Sequence, residues 1–102
     1  MAAYVIAHLE VTDSSAYSEY RQRVQGMIEE FGGRMLGRGD IIEVIGGETP
    51  SGHHRIIVME FPTLEQARGW HTLPESSPQH AELRELRNKS ANAVLTIVSG
   101  DA

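Results

Sequence analysis

Two periodicities alternate along this chain, and the order in which they follow one another carries most of its information. Tyr4 to Val11 is dense in aliphatic residues and reads as a first strand. Val5, Ala7, Leu9 and Val11 are all apolar, whereas Tyr4, Ile6, His8 and Glu10 are mixed, so both faces of this strand expect some cover. From Tyr17 the spacing becomes three and four. Tyr17, Tyr20, Val24, Met27, Ile28 and Phe31 form one helical stripe, opened by the capping oxygens of Thr12-Asp13-Ser14 and closed by Gly32-Gly33. Arg34 to Ile45 reads as a second strand, with a bulge or bend at Gly37 or Gly39, and residues 46–52 as a hairpin loop. His53 to Phe61 is the third strand. Pro62 and the capping box Thr63-Leu64-Glu65-Gln66 open a second helix, with Leu64, Ala67 and Trp70 on one face. A break spans His71 to Ser76. Ser77-Pro78 then restarts a helix with the serine as cap, its inner side carrying Ala81, Leu83, Leu86 and Arg87. Asn92 to Ser99 is the fourth strand.

Strand–helix–strand–strand–helix–strand is an α+β order of the ferredoxin-like βαββαβ kind. It predicts a four-stranded sheet of antiparallel type in the order 4-1-3-2, with the first and third strands central and expected to run parallel to each other. Helices can then cover only one face. The other face also carries aliphatic residues, and a second copy would cover it by two-fold symmetry, so a homodimer is expected.

Composition narrows the function classes. The chain has 102 residues, room for one domain over 1–102. Nine Lys and Arg stand against 14 Asp and Glu, a net charge of −5 that argues against nucleic acid and anionic membranes as partners. Cysteine is absent, which removes thiolate nucleophiles and thiolate metal sites. The N-terminal residues lack a charged signal-type region, and no apolar run is long enough to span a bilayer, so a cytoplasmic protein is expected. Nucleophile elbow, phosphate loop and dinucleotide fingerprint are all missing. No cofactor is expected.

An ordered set of short motifs resembles the domain-of-unknown-function 1330 family, within the dimeric α+β barrel superfamily. The set comprises Ala3-Tyr4-Val5-Ile6, Tyr17-x-x-Tyr20-Arg21, Gly32-Gly33-Arg34, Arg38-Gly39, Glu60-Phe61-Pro62, Ala67-x-x-Trp70, Ser77-Pro78, Leu83-Arg84-x-Leu86-Arg87 and Ile97-Val98-Ser99-Gly100. The resemblance covers nearly the whole chain. Three departures stand out. Residues between Thr72 and Ser76 form an insertion before Ser-Pro, with His80 where the family has tyrosine. Asp40 replaces a second glycine after Arg38-Gly39, and the family's hairpin tryptophan is replaced near Thr49. Superfamily relatives include cofactor-free monooxygenases, haem-degrading enzymes and lactone isomerases. The resemblance therefore implies a site between sheet and helices, by analogy of fold.

Arg38 is the first candidate for such a site. Flanked by Gly37 and Gly39, its guanidinium could hold a carboxylate or enolate through two parallel hydrogen bonds; a salt bridge to a neighbouring acid is the structural alternative. His8 is a candidate proton shuttle. Parallel, in-step pairing would put it near Val58, with Glu10 and Glu60 side by side one layer further on, where Glu60 joins the catalytic candidates. Tyr17, Tyr20, Arg21, Trp70 and His80 are candidate ligand contacts, with core packing the alternative for the aromatics. Arg87 is read as satisfying the end of the last helix. Adjacent His53 and His54 point to opposite faces of a strand, and no short ligand spacing joins His71 to His80, so no metal is expected. The competing functions are cofactor-independent conversion of a small organic molecule, an anion where Arg38 holds it, a non-catalytic binding module, and a structural partner.

Overall fold

A computed structural model describes residues 2–72 and 77–99. The elements are β1 (Ala3–Val11), α1 (Ser14–Glu30), β2 (Arg34–Asp40), β3 (His54–Phe61), α2 (Leu64–Thr72), α3 (Pro78–Ser90) and β4 (Ala91–Ser99). The strands form one sheet in the order β2-β3-β1-β4, the order expected. The break predicted at His71 starts later, because α2 continues through Thr72; the rest of the insertion lies outside the described residues.

Pairing direction is the main correction. β1 runs antiparallel to both β3 and β4, and β2 runs antiparallel to β3. In a split βαβ unit the strands joined by the crossover helix, β1 and β2, are the parallel ones, and β3 slots between them in the opposite sense. His8 therefore faces Ile56 rather than Val58, Glu60 faces Tyr4, and Glu10 faces His54. The expected Glu10–Glu60 pair does not form, since the two carboxylates lie at opposite ends of β3.

The second strand is also shorter than its sequence suggests. It stops at Asp40, because β3 begins only at His54 and offers no ladder to residues further along; Ile41 N–H makes a last bond to the His54 carbonyl at 2.9 Å. Ile42 and Ile45 beyond it are 96% and 95% exposed. The bulge falls between Met35 and Gly37, with Leu36 as the extra residue.

Alternation on β1 sorts the two faces. Val5, Ala7 and Leu9 are buried beneath the helices together with Ile57, Met59 and Phe61 of β3. From α1, Tyr17, Tyr20, Val24, Met27 and Ile28 descend onto them, as the periodicity predicted. Local chemistry fixes the helix ends. Asp13 caps α1 by accepting from Ala16 N–H at 3.1 Å. Gly32, at φ 75°, takes the left-handed turn that ends it. Gly33 is needed for a different reason: a Cβ there would lie 2.6 Å from the Phe61 ring. Thr63 caps α2 by accepting from Gln66 N–H at 3.1 Å, while the Gln66 side chain reaches across to donate to the Phe31 carbonyl at 3.0 Å. Ser77 stands at the N-cap of α3, but its hydroxyl bonds the His80 ring instead of a backbone N–H.

Candidate functional site

A small cavity lies where α1, α2 and α3 meet the covered face of the sheet. Its space amounts to about 20 Å³, room for one water molecule. Most of the lining is apolar, from Leu9, Val24, Ile28, Ile57, Met59 and Leu95. Three side chains bring polarity to it: Tyr20 from α1, Trp70 from α2 and Arg87 from α3. The same three line a narrow crevice that continues past Met27, His71 and Arg84. A second space of about 70 Å³ lies beyond Trp70 and Leu95, against Val5, His71 and Ile97.

Helical geometry explains the convergence. Leu83 is buried on the inner face of α3, and Arg87 follows it by four residues on that face. Tyr20 sits mid-way along the buried stripe of α1. Trp70, 2% exposed, anchors α2 against Phe61 with ring centroids 5.7 Å apart.

All three polar groups are donors. Burial pushes the Tyr20 phenol up to about 12, against the downward pull of Arg87 beside it, so it keeps its proton at neutral pH. Arg87 forms no ion pair among the described residues; its side-chain acceptor is the neutral Asn88, at 3.4 Å. The Trp70 indole N–H is buried without a partner among the described residues, a state that costs about 1–3 kcal/mol when nothing fills it. Arg84 donates to the His71 carbonyl. Among the described residues, no Asp or Glu lines the cavity, the crevice or the adjoining space.

Most of the other sequence candidates lie elsewhere. Arg38 is exposed on the edge strand β2, with no partner among the described residues and no place in the cavity lining. Arg21 is exposed on α1. Tyr17 is buried as expected, but away from the cavity; the Arg55 guanidinium packs 5.6 Å from its ring centre, and its hydroxyl is unpartnered. His80 is tied to the C-terminal end of α1, its Nε2 lying 3.2 Å from Glu30 Oε2 and its Nδ1 2.7 Å from Ser77 Oγ, which makes it a fastener between helices.

His8 and Glu60 face away from the helices. The Ser51 carbonyl accepts from His54 Nε2–H at 2.7 Å, which leaves His54 Nδ1 to accept from His8 Nε2–H at 3.0 Å. Glu10 accepts from Asn92 at 3.1 Å. Arg34 donates to Glu60 at 2.7 Å, and that bond holds the Glu60 carboxyl below the usual range. At the far end of β2, Asp40 Oδ1 takes hydrogen bonds from His53 Nε2 at 2.7 Å and Arg55 Nη1 at 2.8 Å, which lower its pKa likewise. Among the described residues no group of three or more His, Asp or Glu is placed to hold a metal ion. No helix of the described residues is long and apolar enough to cross a membrane.

Of the sequence candidates, Tyr20 and Trp70 line the cavity; Arg87 joins them, a residue that the sequence placed on the inner side of α3 but assigned to the end of that helix. The sequence pointed instead to Arg38, where flanking glycines suggested room for a ligand but belong to an exposed edge.

Residues 2–101 match a family described as a domain of unknown function, DUF1330. No curated protein matches the chain. Among solved structures, a protein of unknown function from Rhodopseudomonas palustris, RPA0582, aligns with a TM-score of 0.72 at 14% identity, covering 99% of this chain and 84% of the other. SnoaB, a cofactor-independent oxygenase from Streptomyces nogalater, aligns at 0.69 and 6% identity, with 99% and 94% covered. An uncharacterised NIPSNAP domain protein from Burkholderia xenovorans aligns at 0.66 and 9% identity, with 98% and 95% covered. At these identities the likeness is one of fold.

Proposed function

The chain belongs to the DUF1330 family, and from that premise we propose that it is a homodimeric α+β barrel protein that binds a small organic molecule between sheet and helices without converting it. The observation that carries the binding reading is the buried, unpartnered Trp70 N–H at the junction of the cavity and the two spaces beside it. Trp70 and Leu95 are the walls that the cavity and its larger neighbour have in common. Leu95 is only partly buried, so turning its side chain is the less costly way to join them. A joined space would take a small ligand with one end at the indole.

Binding is favoured over conversion because, among the described residues, the titratable groups of the cavity itself are Arg87, always charged, and Tyr20, held neutral, while His71 lines only the adjoining space and crevice. His8 and Glu60, the proton-transfer candidates, stand on the other side of the sheet. The oxygenase chemistry of SnoaB supplies no residue here, since that likeness is one of fold.

A second copy is the natural cover for the open face. Cross-strand partners share a face, and Ile6, Ile56, Val58, Val94 and Val98 lie together on it by register. Arg34 and Glu60 on this face are already paired with each other, so closing it strands neither ion.

The binding reading is tested by thermal denaturation against a panel of small acids, amides, alcohols and amines. At least one compound should raise Tm in a concentration-dependent way, by the linkage of binding to stability. A panel with no such compound would sink it.

A further inference from the structure

The three polar groups of the cavity share one hydrogen-bonding sense. Arg87 offers guanidinium N–H donors, the neutral Tyr20 phenol one O–H, and Trp70 one N–H. The crevice adds a second guanidinium, that of Arg84, three residues before Arg87 on the same helix. Of the acids on these helices, Glu82 is engaged with Arg23 and Glu30 with His80. In a chain with a net charge of −5, a half-buried arginine with no carboxylate partner among the described residues faces a largely apolar space whose polar groups each offer a donor. Desolvating that cation is unfavourable until an anion arrives.

We propose that the ligand is an organic monocarboxylate, its head held by Arg87 with Tyr20 and Trp70 as further donors, and its apolar body lying against Val24, Met59 and Leu95. This rests on the binding reading above and names the class of ligand. A guanidinium meets a carboxylate through two parallel hydrogen bonds, so a single charged head matches Arg87. The aliphatic lining gives hydroxyls and ammonium groups on the ligand nothing to bond, and the cations repel amines. The phenol donates to the anion and does not compete with it, because it stays protonated throughout the neutral range.

The chain has one tryptophan, so its indole N–H gives a single resonance in a nitrogen-15 correlation spectrum. Octanoate and benzoate are titrated against octanamide and benzamide, which keep the shape and lose the charge; inorganic phosphate tests the charge without the body. Both acids should move the indole resonance and bind at least about tenfold more tightly than their amides, the scale of a charged hydrogen bond. Arg87→Met should remove that preference, and Arg87→Lys should keep part of it. Tyr20→Phe should weaken the acids about three- to tenfold and leave the amides unchanged.

Amides binding as well as acids would overturn the carboxylate assignment and leave the binding reading intact. Silence from all four organic compounds would overturn the assignment, and the thermal panel then decides the broader reading separately. Phosphate moving the resonance with both acids inert would overturn the assignment as well. A preference for acids that survives in Arg87→Met would remove Arg87 from it. The acid–amide comparison needs no variant, so it stands even where a substitution prevents folding.

Discussion

The two faces of this sheet are built from the same strands, yet they solve opposite problems. Beneath the helices, Val5, Ala7, Leu9, Met59 and Phe61 are sealed by the chain's own α1 and α2, and the Trp70 indole N–H and the Tyr17 hydroxyl there lack partners among the described residues. On the open face the polar groups are matched, Arg34 to Glu60, His8 to His54 and Asn92 to Glu10, while aliphatic side chains stay exposed between them. One face has its apolar area covered and its hydrogen bonding incomplete; the other has the reverse. The covered face is thus suited to a small polar guest, and the open face to a broad surface of its own kind.

Truncating the covered face should do the greatest damage. Phe61 is fully buried and touches both Trp70 and the backbone at Gly33. Phe61→Ala should cost about 3–5 kcal/mol, measured by urea denaturation, since the surrounding core can relax only partly into the cavity. The loss should be the same at every protein concentration, because it belongs to the subunit. The matched change on the open face, Val98→Ala, should cost the separated subunit less than about 0.5 kcal/mol. Equal losses at the two positions would erase the distinction between the faces.

How much of this was legible in the sequence follows the same division. The core stripe of α1 and the alternation on β1 could be read directly, because periodicity records which side of an element is buried. The sheet order followed from the connectivity, and the family motifs agreed with it. Partnerships across the sheet could not be read. A wrong strand direction moved Glu60 from Tyr4 to the neighbourhood of Glu10 and turned a neutralised carboxylate into a spurious acid pair. Arg87 was hidden for another reason: an arginine in the last turn of a helix already has a satisfactory role there. Its inward direction was legible from its alignment with Ala81, Leu83 and Leu86, but that direction did not by itself mark a site.

Tyr20 gives the covered face a signature in pH. Its folded pKa of about 12 lies above the unfolded value of about 10, so between the two the folded state holds a proton that the unfolded state has lost. Stability associated with this group is complete below pH 10 and disappears as pH rises towards 12, by about 3 kcal/mol. The stability difference between the native sequence and Tyr20→Phe should therefore fall with pH over that window, as read from urea midpoints at each pH. A difference that stays level would mean the phenol ionises as freely in the fold as in water. Glu60 and Asp40, whose pKa values are lowered by hydrogen bonds from Arg34 and from His53, work in the other direction. They favour the fold above the ordinary carboxylate range and cease to do so as pH falls through their lowered values. Both pairs are open to solvent, so their share is small.

The open face makes the smallest demand on the subunit and the clearest one on its assembly. Val94 is 68% exposed on β4, opposite His8, where a longer polar side chain meets no packing of its own chain. Val94→Lys should leave urea stability at high dilution nearly unchanged. In a two-fold dimer, however, the substitution enters the interface twice and brings two like charges into an apolar seam. Self-association should weaken by about 30-fold, roughly 2 kcal/mol, in sedimentation across a dilution series. Gln22→Lys, on the exposed side of α1, adds the same charge and should change nothing. If the two variants weakened association equally, net charge would be responsible and not the face. A native chain that stays monomeric throughout the series would leave Val94, Ile42 and Ile45 exposed with no second copy to cover them.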